Sequence, residues 1–161
     1  MSDANKDLVR RHFEELFNRQ NFDASDEIMA DAYVEHALAP FGDREPGLVN
    51  GPQHIRATVE WLRAQFPDGR MTVEAIVSEG DMVVARVLGE GTNTGKLNGV
   101  MPPTGKRFSS RQSHWYRVEN GKLAEHWVTR DDLTTMLQLG VTRRPRPPLW
   151  IRPFLWMRGR R

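Results

Sequence analysis

Apolar positions recur first at helical and then at strand spacing along this chain. Val9, Phe13, Leu16 and Phe17 fall at i, i+4, i+7 and i+8, predicting an amphipathic helix over residues 5–20. Asp23 or Ser25 is placed to cap a second short helix through Ile28 and Met29. The segment Ala32–Ala39 follows, carrying Tyr33, Glu35 and His36, and residues 40–51 (PFGDREPGLVNG) form a loop by composition. Pro52 suits the first turn of a helix to about Phe66, with Ile55, Val59, Leu62 and Phe66 on one face. Phe66-Pro67-Asp68-Gly69 stops it.

From there the period shortens to two. Met71–Ser78 and Met82–Gly91 are β-rich runs about a Glu79-Gly80-Asp81 turn, and Gly95–Gly105 is a loop. Lys106–Asp132 then reads as two strands joined at Glu119-Asn120-Gly121. Alternation puts Gln112, His114, Tyr116 and Val118 on one face of the first strand, and Ser113, Trp115 and Arg117 on the other. In the second strand Ala124, His126, Val128 and Arg130 alternate with Glu125, Trp127 and Thr129.

The turn decides which faces coincide. A two-residue Asn-Gly turn pairs Glu119 with Lys122 and sets His114 opposite Trp127. A three-residue turn pairs Val118 with Lys122, sets His114 opposite His126, and separates a polar lining from an aromatic backing. The second register is expected. Asp131 caps a last helix through Leu139, ended by Gly140. Three helices, four β segments and a short helix predict an α+β domain: a curved antiparallel sheet whose concave face is partly covered by helices.

Composition narrows the function classes. A chain of 161 residues is most economically one domain, read as residues 1–140 with a tail at 141–161. It has no cysteine, which removes disulfides and thiolate chemistry. No apolar leader or membrane-length run is present, so a soluble cytoplasmic protein is expected. Seven of the 23 basic residues lie from Val141 onward with no acidic residue, leaving 16 basic against 21 acidic before it. The body is mildly acidic, which argues against nucleic-acid binding. The tail, VTRRPRPPLWIRPFLWMRGRR, is expected to dock on the protein, with contact to an anionic membrane as the alternative.

Three stretches carry a family resemblance: FPDGRMTVEAIVSEGDMVV, GVMPPTGKRFSSRQSHWYRVENGKLAEHW and DDLTTMLQLG. With them the chain resembles the SnoaL-like polyketide cyclases of the NTF2-like superfamily, over about residues 5–140. The resemblance implies a cone-shaped α+β barrel, the three-residue turn register, and ring closure by aldol chemistry without metal, cofactor or covalent intermediate. It also implies a hydrophobic pocket with an aspartate as acid–base, and histidines and a glutamine on the reacting carbonyl. Gln112, His114 and His126 match that pattern, the aspartate position is Val128, and a frequent asparagine position is Glu35.

Three chemistries follow. Glu35 could supply the carboxylate, the His114/His126 pair could transfer protons alone, or the chain could follow hydroxylating family members that work with a separate reductase. A non-catalytic small-molecule binder on the same scaffold is the remaining alternative. The catalytic candidates are therefore His114, His126 and Glu35. The substrate-binding candidates are Gln112, Tyr116, Val128, Tyr33 and His36, for an apolar carbonyl substrate. Glu35 and His36 are adjacent, so only one of them can line the pocket directly. Two histidines and a carboxylate also have the composition of an iron site, a reading set aside because no tight ligand motif supports it. Trp115 and Trp127, on the far face, predict a homodimer through the convex side of the sheet.

Overall fold

Residues 2–37 and 47–143 are described in the computed structural model of the chain; most of the predicted 40–51 loop and of the tail lies outside them. The first helix (α1, Ser2–Arg11) runs directly into a π-helical segment, His12–Asn18, closer to the N-terminus than the pattern alone suggested. A 3-10 turn (Phe22–Ala24) and a four-residue helix (α2, Ser25–Ile28) follow. Neither Asp23 nor Ser25 caps them: the Ser25 hydroxyl donates to Phe22 O at 2.6 Å. Strand β1 spans Met29–Glu35 and β2 spans Gly47–Val49, two strands the β-count had omitted. Asn50 caps α3 (Gly51–Gln65) by accepting from Gln53 N at 3.0 Å, with Pro52 in the first turn as expected.

The remaining strands are β3 (Arg70–Glu79), β4 (Met82–Thr92), β5 (Arg107–Glu119) and β6 (Lys122–Arg130). Helix α4 (Asp132–Leu139) is capped by Asp131 and ended by Gly140 at φ 74°. Together the strands form one six-stranded sheet in the order β2-β1-β6-β5-β4-β3. It is not purely antiparallel, because β1 pairs parallel with β6. The curved sheet is also unclosed, with β2 and β3 at its edges.

The β5–β6 hairpin corrects the expected register. Asn120 and Gly121 have φ of 50° and 74°, the two consecutive left-handed residues that a two-residue turn needs, and Glu119 pairs with Lys122. Past Val118–Leu123 the ladder slips by one residue at Ala124, so Arg117 pairs with Glu125. His114 therefore faces Val128, Tyr116 faces His126, and Trp115 faces Trp127. The turn is the shorter one, yet the bulge restores the parity. Both imidazoles stay on one face and both tryptophans on the other.

The concave face carries the main core. Val9 of α1 and Phe13 and Leu16 of the π-helical segment pack on Val83, Ala85 and Val87 of β4, Tyr116 and Val118 of β5, and Leu123 of β6. Phe66, Leu97, Phe108 and Leu139 make a second cluster. Met71 packs on the core, whereas Met101 is exposed on the 95–105 loop. Helix α3 approaches β1 so closely that a Cβ on Gly51 would stand 2.2 Å from Ala30 O. That approach brings His54 against β1. Among the described residues no helix is long and apolar enough to cross a membrane.

Candidate active site

Four polar side chains from three adjacent strands meet on the concave face. Gln112 and His114 project from β5, His126 from β6 and Glu35 from the end of β1, where Glu35 pairs in register with His126. Gln112 Oε1 lies 3.0 Å from His114 Nε2, and His114 Nδ1 lies 3.0 Å from His126 Nε2. His126 Nδ1 lies 2.9 Å from both oxygens of Glu35. His54, from the first turns of α3, adds Nε2 at 3.4 Å from Glu35 Oε2, and Ala37 N donates to Oε1 at 2.9 Å. The result is a line of hydrogen-bonded groups rather than a ring about a point. Among the described residues no three His, Asp or Glu side chains are grouped as metal ligands would be.

The protons along this line are interdependent. Facing a carboxylate, His126 Nδ1 carries its hydrogen and donates. With Gln112 Oε1 toward His114, His114 donates from Nε2 and accepts at Nδ1, which makes His126 an imidazolium beside Glu35. Turning the Gln112 amide over gives the neutral line, in which His114 Nδ1–H donates to His126 Nε2. One proton and one amide rotation separate the two states.

Electrostatics favours charge at the Glu35 end. Burial pushes the Glu35 carboxyl up, but hydrogen bonds from His126 and His54, the charge of His126 and the Ala37 N–H outweigh it and hold the group at about 2. Burial drives His114 well below the usual imidazole range, and the charges of His126, His12 and Arg130 add to this against Glu35. The carboxylate thus stays ionised, while His114 resists carrying a charge itself.

Aromatic rings close the inner side. Tyr116 stacks on His126 with centroids 4.7 Å apart, and Phe13 meets His114 edge-on at 5.1 Å. Tyr33 is buried on the Glu35 side of β1, its ring 6.0 Å from His54. Burial raises both phenols well above their ordinary value. Val128, across from His114, is half-buried. Beyond Gln112 lies Met71: a Cβ on Gly89 would come within 3.1 Å of the Gln112 amide and 3.2 Å of the Met71 sulfur. Met71 also borders an apolar cleft of about 40 Å³ with Phe17, Val59, Leu62, Phe66 and Phe108.

Of the residues expected at the site, His36 alone points away. Its Nε2 lies 2.7 Å from Glu125, and its ring stacks on Trp127 at 4.3 Å on the convex face. The choice between Glu35 and His36 thus falls to Glu35. Sequence reasoning missed His54 and His12. Leu8, His12 and Leu16, each four apart, mark His12 as lying on the apolar stripe, a signal available in the pattern. His12 is 2 % exposed, packed against Phe13, Phe17 and Tyr116, and its Nδ1 has no partner among the described residues. Burial takes its pKa down to about 3, the charge of His126 helping and that of Glu35 opposing. No sequence signal points to His54, whose placement depends on how α3 meets β1.

With this geometry in view, the comparisons with known proteins are decisive. The family profile of the SnoaL-like polyketide cyclases matches residues 7–139. The chain belongs to that family. It is 34% identical over 125 residues to a nogalonic acid methyl ester cyclase from Streptomyces nogalater, covering 77% of this chain and 89% of the relative. It is 35% identical over 135 residues to aklanonic acid methyl ester cyclase DauD from Streptomyces sp. (strain C5), covering 83% and 80%. The structure of IdmH from Streptomyces antibioticus superposes with a TM-score of 0.72 at 32% identity, covering 84% of this chain and 98% of that one. The family supports a cyclase-type function, and the fold is the NTF2-like α+β fold of its solved relatives.

Proposed function

We propose that this protein is a cofactor-independent cyclase that closes a ring on an aromatic-polyketide-like carbonyl compound by intramolecular aldol chemistry. The observation supporting this reading is the line Gln112–His114–His126–Glu35, which ends on a held carboxylate. Aldol ring closure removes a proton from an acidified carbon and returns one to the new alkoxide, so the site needs one group that takes and then gives. In the neutral line His114 Nε2 takes the proton. Acting alone, an imidazole of such depressed basicity would hold it poorly. Passing the Nδ1 proton on to His126 moves the charge next to Glu35, where the carboxylate stabilises it. The Gln112 amide, rotating as the proton count changes, hydrogen-bonds the carbonyl that becomes the enolate.

This assignment answers the departure at Val128. The resemblance sets the family's acid two residues beyond the histidine of EHW, where valine stands, and an asparagine where Glu35 stands. The carboxylate is relocated from one end of the histidine pair to the other. Space is limited: about 40 Å³ in the adjoining cleft holds a few waters, against the several hundred of a ligand pocket. Met71, an unbranched and adaptable side chain, is the group whose movement joins that cleft to Gln112.

The test is turnover of nogalonic acid methyl ester and aklanonic acid methyl ester, the compounds for which the two relatives are named. The wild type converts at least one of them. His114→Asn and Glu35→Gln each lower kcat by about 10²–10⁴-fold, the range of a positioned acid–base group. Tight binding of both esters by the wild type with no conversion would make the protein a binder instead.

A further inference from the structure

The hydrogen-bonded line continues past the groups that the proposed reaction uses. It starts at His114, 6 % exposed, and its side-chain exposure then rises outward from 11% at His126 to 14% at Glu35 and 19% at His54. His54 touches Glu35 Oε2 at 3.4 Å, the same oxygen that lies 2.9 Å from His126 Nδ1. Its imidazole, unlike an amide, can take a proton at one nitrogen and release another from the second. The close approach of α3 to β1 at Gly51 fixes this contact, and the Tyr33 ring lies alongside. A side chain needed only to hold Glu35 in place would not require two titratable nitrogens.

We propose that His54 is the solvent-side end of a proton relay, His114–His126–Glu35–His54, connecting the buried site with bulk water. A proton taken at His114 Nε2 displaces the Nδ1 proton to His126 Nε2. His126 releases its Nδ1 proton to Glu35, Glu35 passes it to Nε2 of the His54 tautomer that carries its hydrogen on Nδ1, and His54 gives up that Nδ1 proton to water, which leaves Nε2–H donating to Glu35. One proton enters and one leaves, so every group keeps its proton count with each imidazole hydrogen moved to its other nitrogen, and the reverse passage resets the line.

Protonated Glu35 is the high point of this path. Its hydrogen bonds hold the carboxyl at about 2, so the protonated form is a sparse, transient stage of the passage. His54 is a relaying and positioning residue; it does not touch the reacting atoms.

This inference builds on the acid–base reading above, but its test needs no substrate. In full-length ¹⁵N-labelled protein, the exchange of the His126 and His114 ring N–H protons with water is followed by NMR. His54→Gln retains a donor for Glu35 and cannot relay, so both ring protons should exchange at least tenfold more slowly. Free imidazole added to His54→Ala, where it can occupy the vacated space, should restore the exchange. Wild-type exchange in His54→Gln would overturn the proposal and leave His54 as a mere support for Glu35. So would slow exchange in His54→Ala that imidazole does not restore. Either result is independent of the ester assay, so the relay and the cyclase reading fail separately.

Discussion

His12 gives the clearest energetic consequence of the buried imidazoles. Its folded pKa of about 3 lies far below the ordinary 6.5, because burial penalises the charged ring. A depressed folded pKa means that its contribution to stability is intact above about 6.5 and is lost as the pH falls, because the unfolded chain binds a proton the folded chain refuses. Integrating that difference from pH 7 to pH 5 removes about 2 kcal/mol for this one residue, close to 1.2 kcal/mol per pH unit below pH 6. Burial lowers His114 in the same direction, so it adds to the wild type's loss over this interval. The lowered carboxyls, Glu35 among them, titrate below about 4.5 and leave this window to the histidines.

His12→Leu, which continues the Leu8–Leu16 ridge at similar volume, should therefore save about 2 kcal/mol of the loss between pH 7 and pH 5. At pH 7 it should be neutral or stabilising, since an unpartnered buried nitrogen costs about 1–3 kcal/mol. Urea denaturation at pH 7, 6 and 5 measures this. With a slope of about 2 kcal/mol per molar urea, the variant's midpoint should fall by about 1 M less than the wild type's. Equal losses in the two proteins would refute the claim that His12 is held neutral.

Other expectations follow from single contacts. Holding the Glu35 carboxyl at about 2 against an ordinary 4.5 is worth about 3 kcal/mol, present in full above pH 4.5 and lost as the pH falls towards 2. Urea titration at pH 7 should show Glu35→Gln less stable by about that amount. Gly51→Ala puts a methyl into Ala30 O and pushes α3 off β1, so a loss of about 1–3 kcal/mol in denaturant titration is expected. Trp115 is 45% exposed on the convex face of the single chain. If that face is a dimer interface, as proposed from the sequence, light scattering gives twice 18.5 kDa for the wild type and a single-chain mass for Trp115→Glu.

What could be read from the sequence was local. Val9, Phe13 and Leu16 announced the helix that covers the sheet, and alternation along 107–130 put Gln112, His114 and His126 on one face. The hairpin shows why such reasoning can be right about faces and wrong about partners. A shorter turn and a bulge at Ala124 shift β6 by two residues and leave the parity untouched. What escaped depends on contacts between distant segments. The parallel pairing of β1 with β6 sets Glu35 beside His126, and the packing of α3 on β1 brings His54 to the same carboxylate. Sequence spacing contains neither distance. The Glu35/His36 choice was open for the same reason, and Trp127 resolved it by stacking on His36 on the other side.

The central claim is that His114, supported through His126 by Glu35, moves the proton in ring closure. Its most direct measurement is single-turnover conversion of a methyl ester that the wild type cyclises, compared with His114→Asn at saturating substrate. The account predicts a fall of about 10²–10⁴-fold in the rate of the chemical step with ester affinity little changed. A rate within threefold of wild type would contradict it.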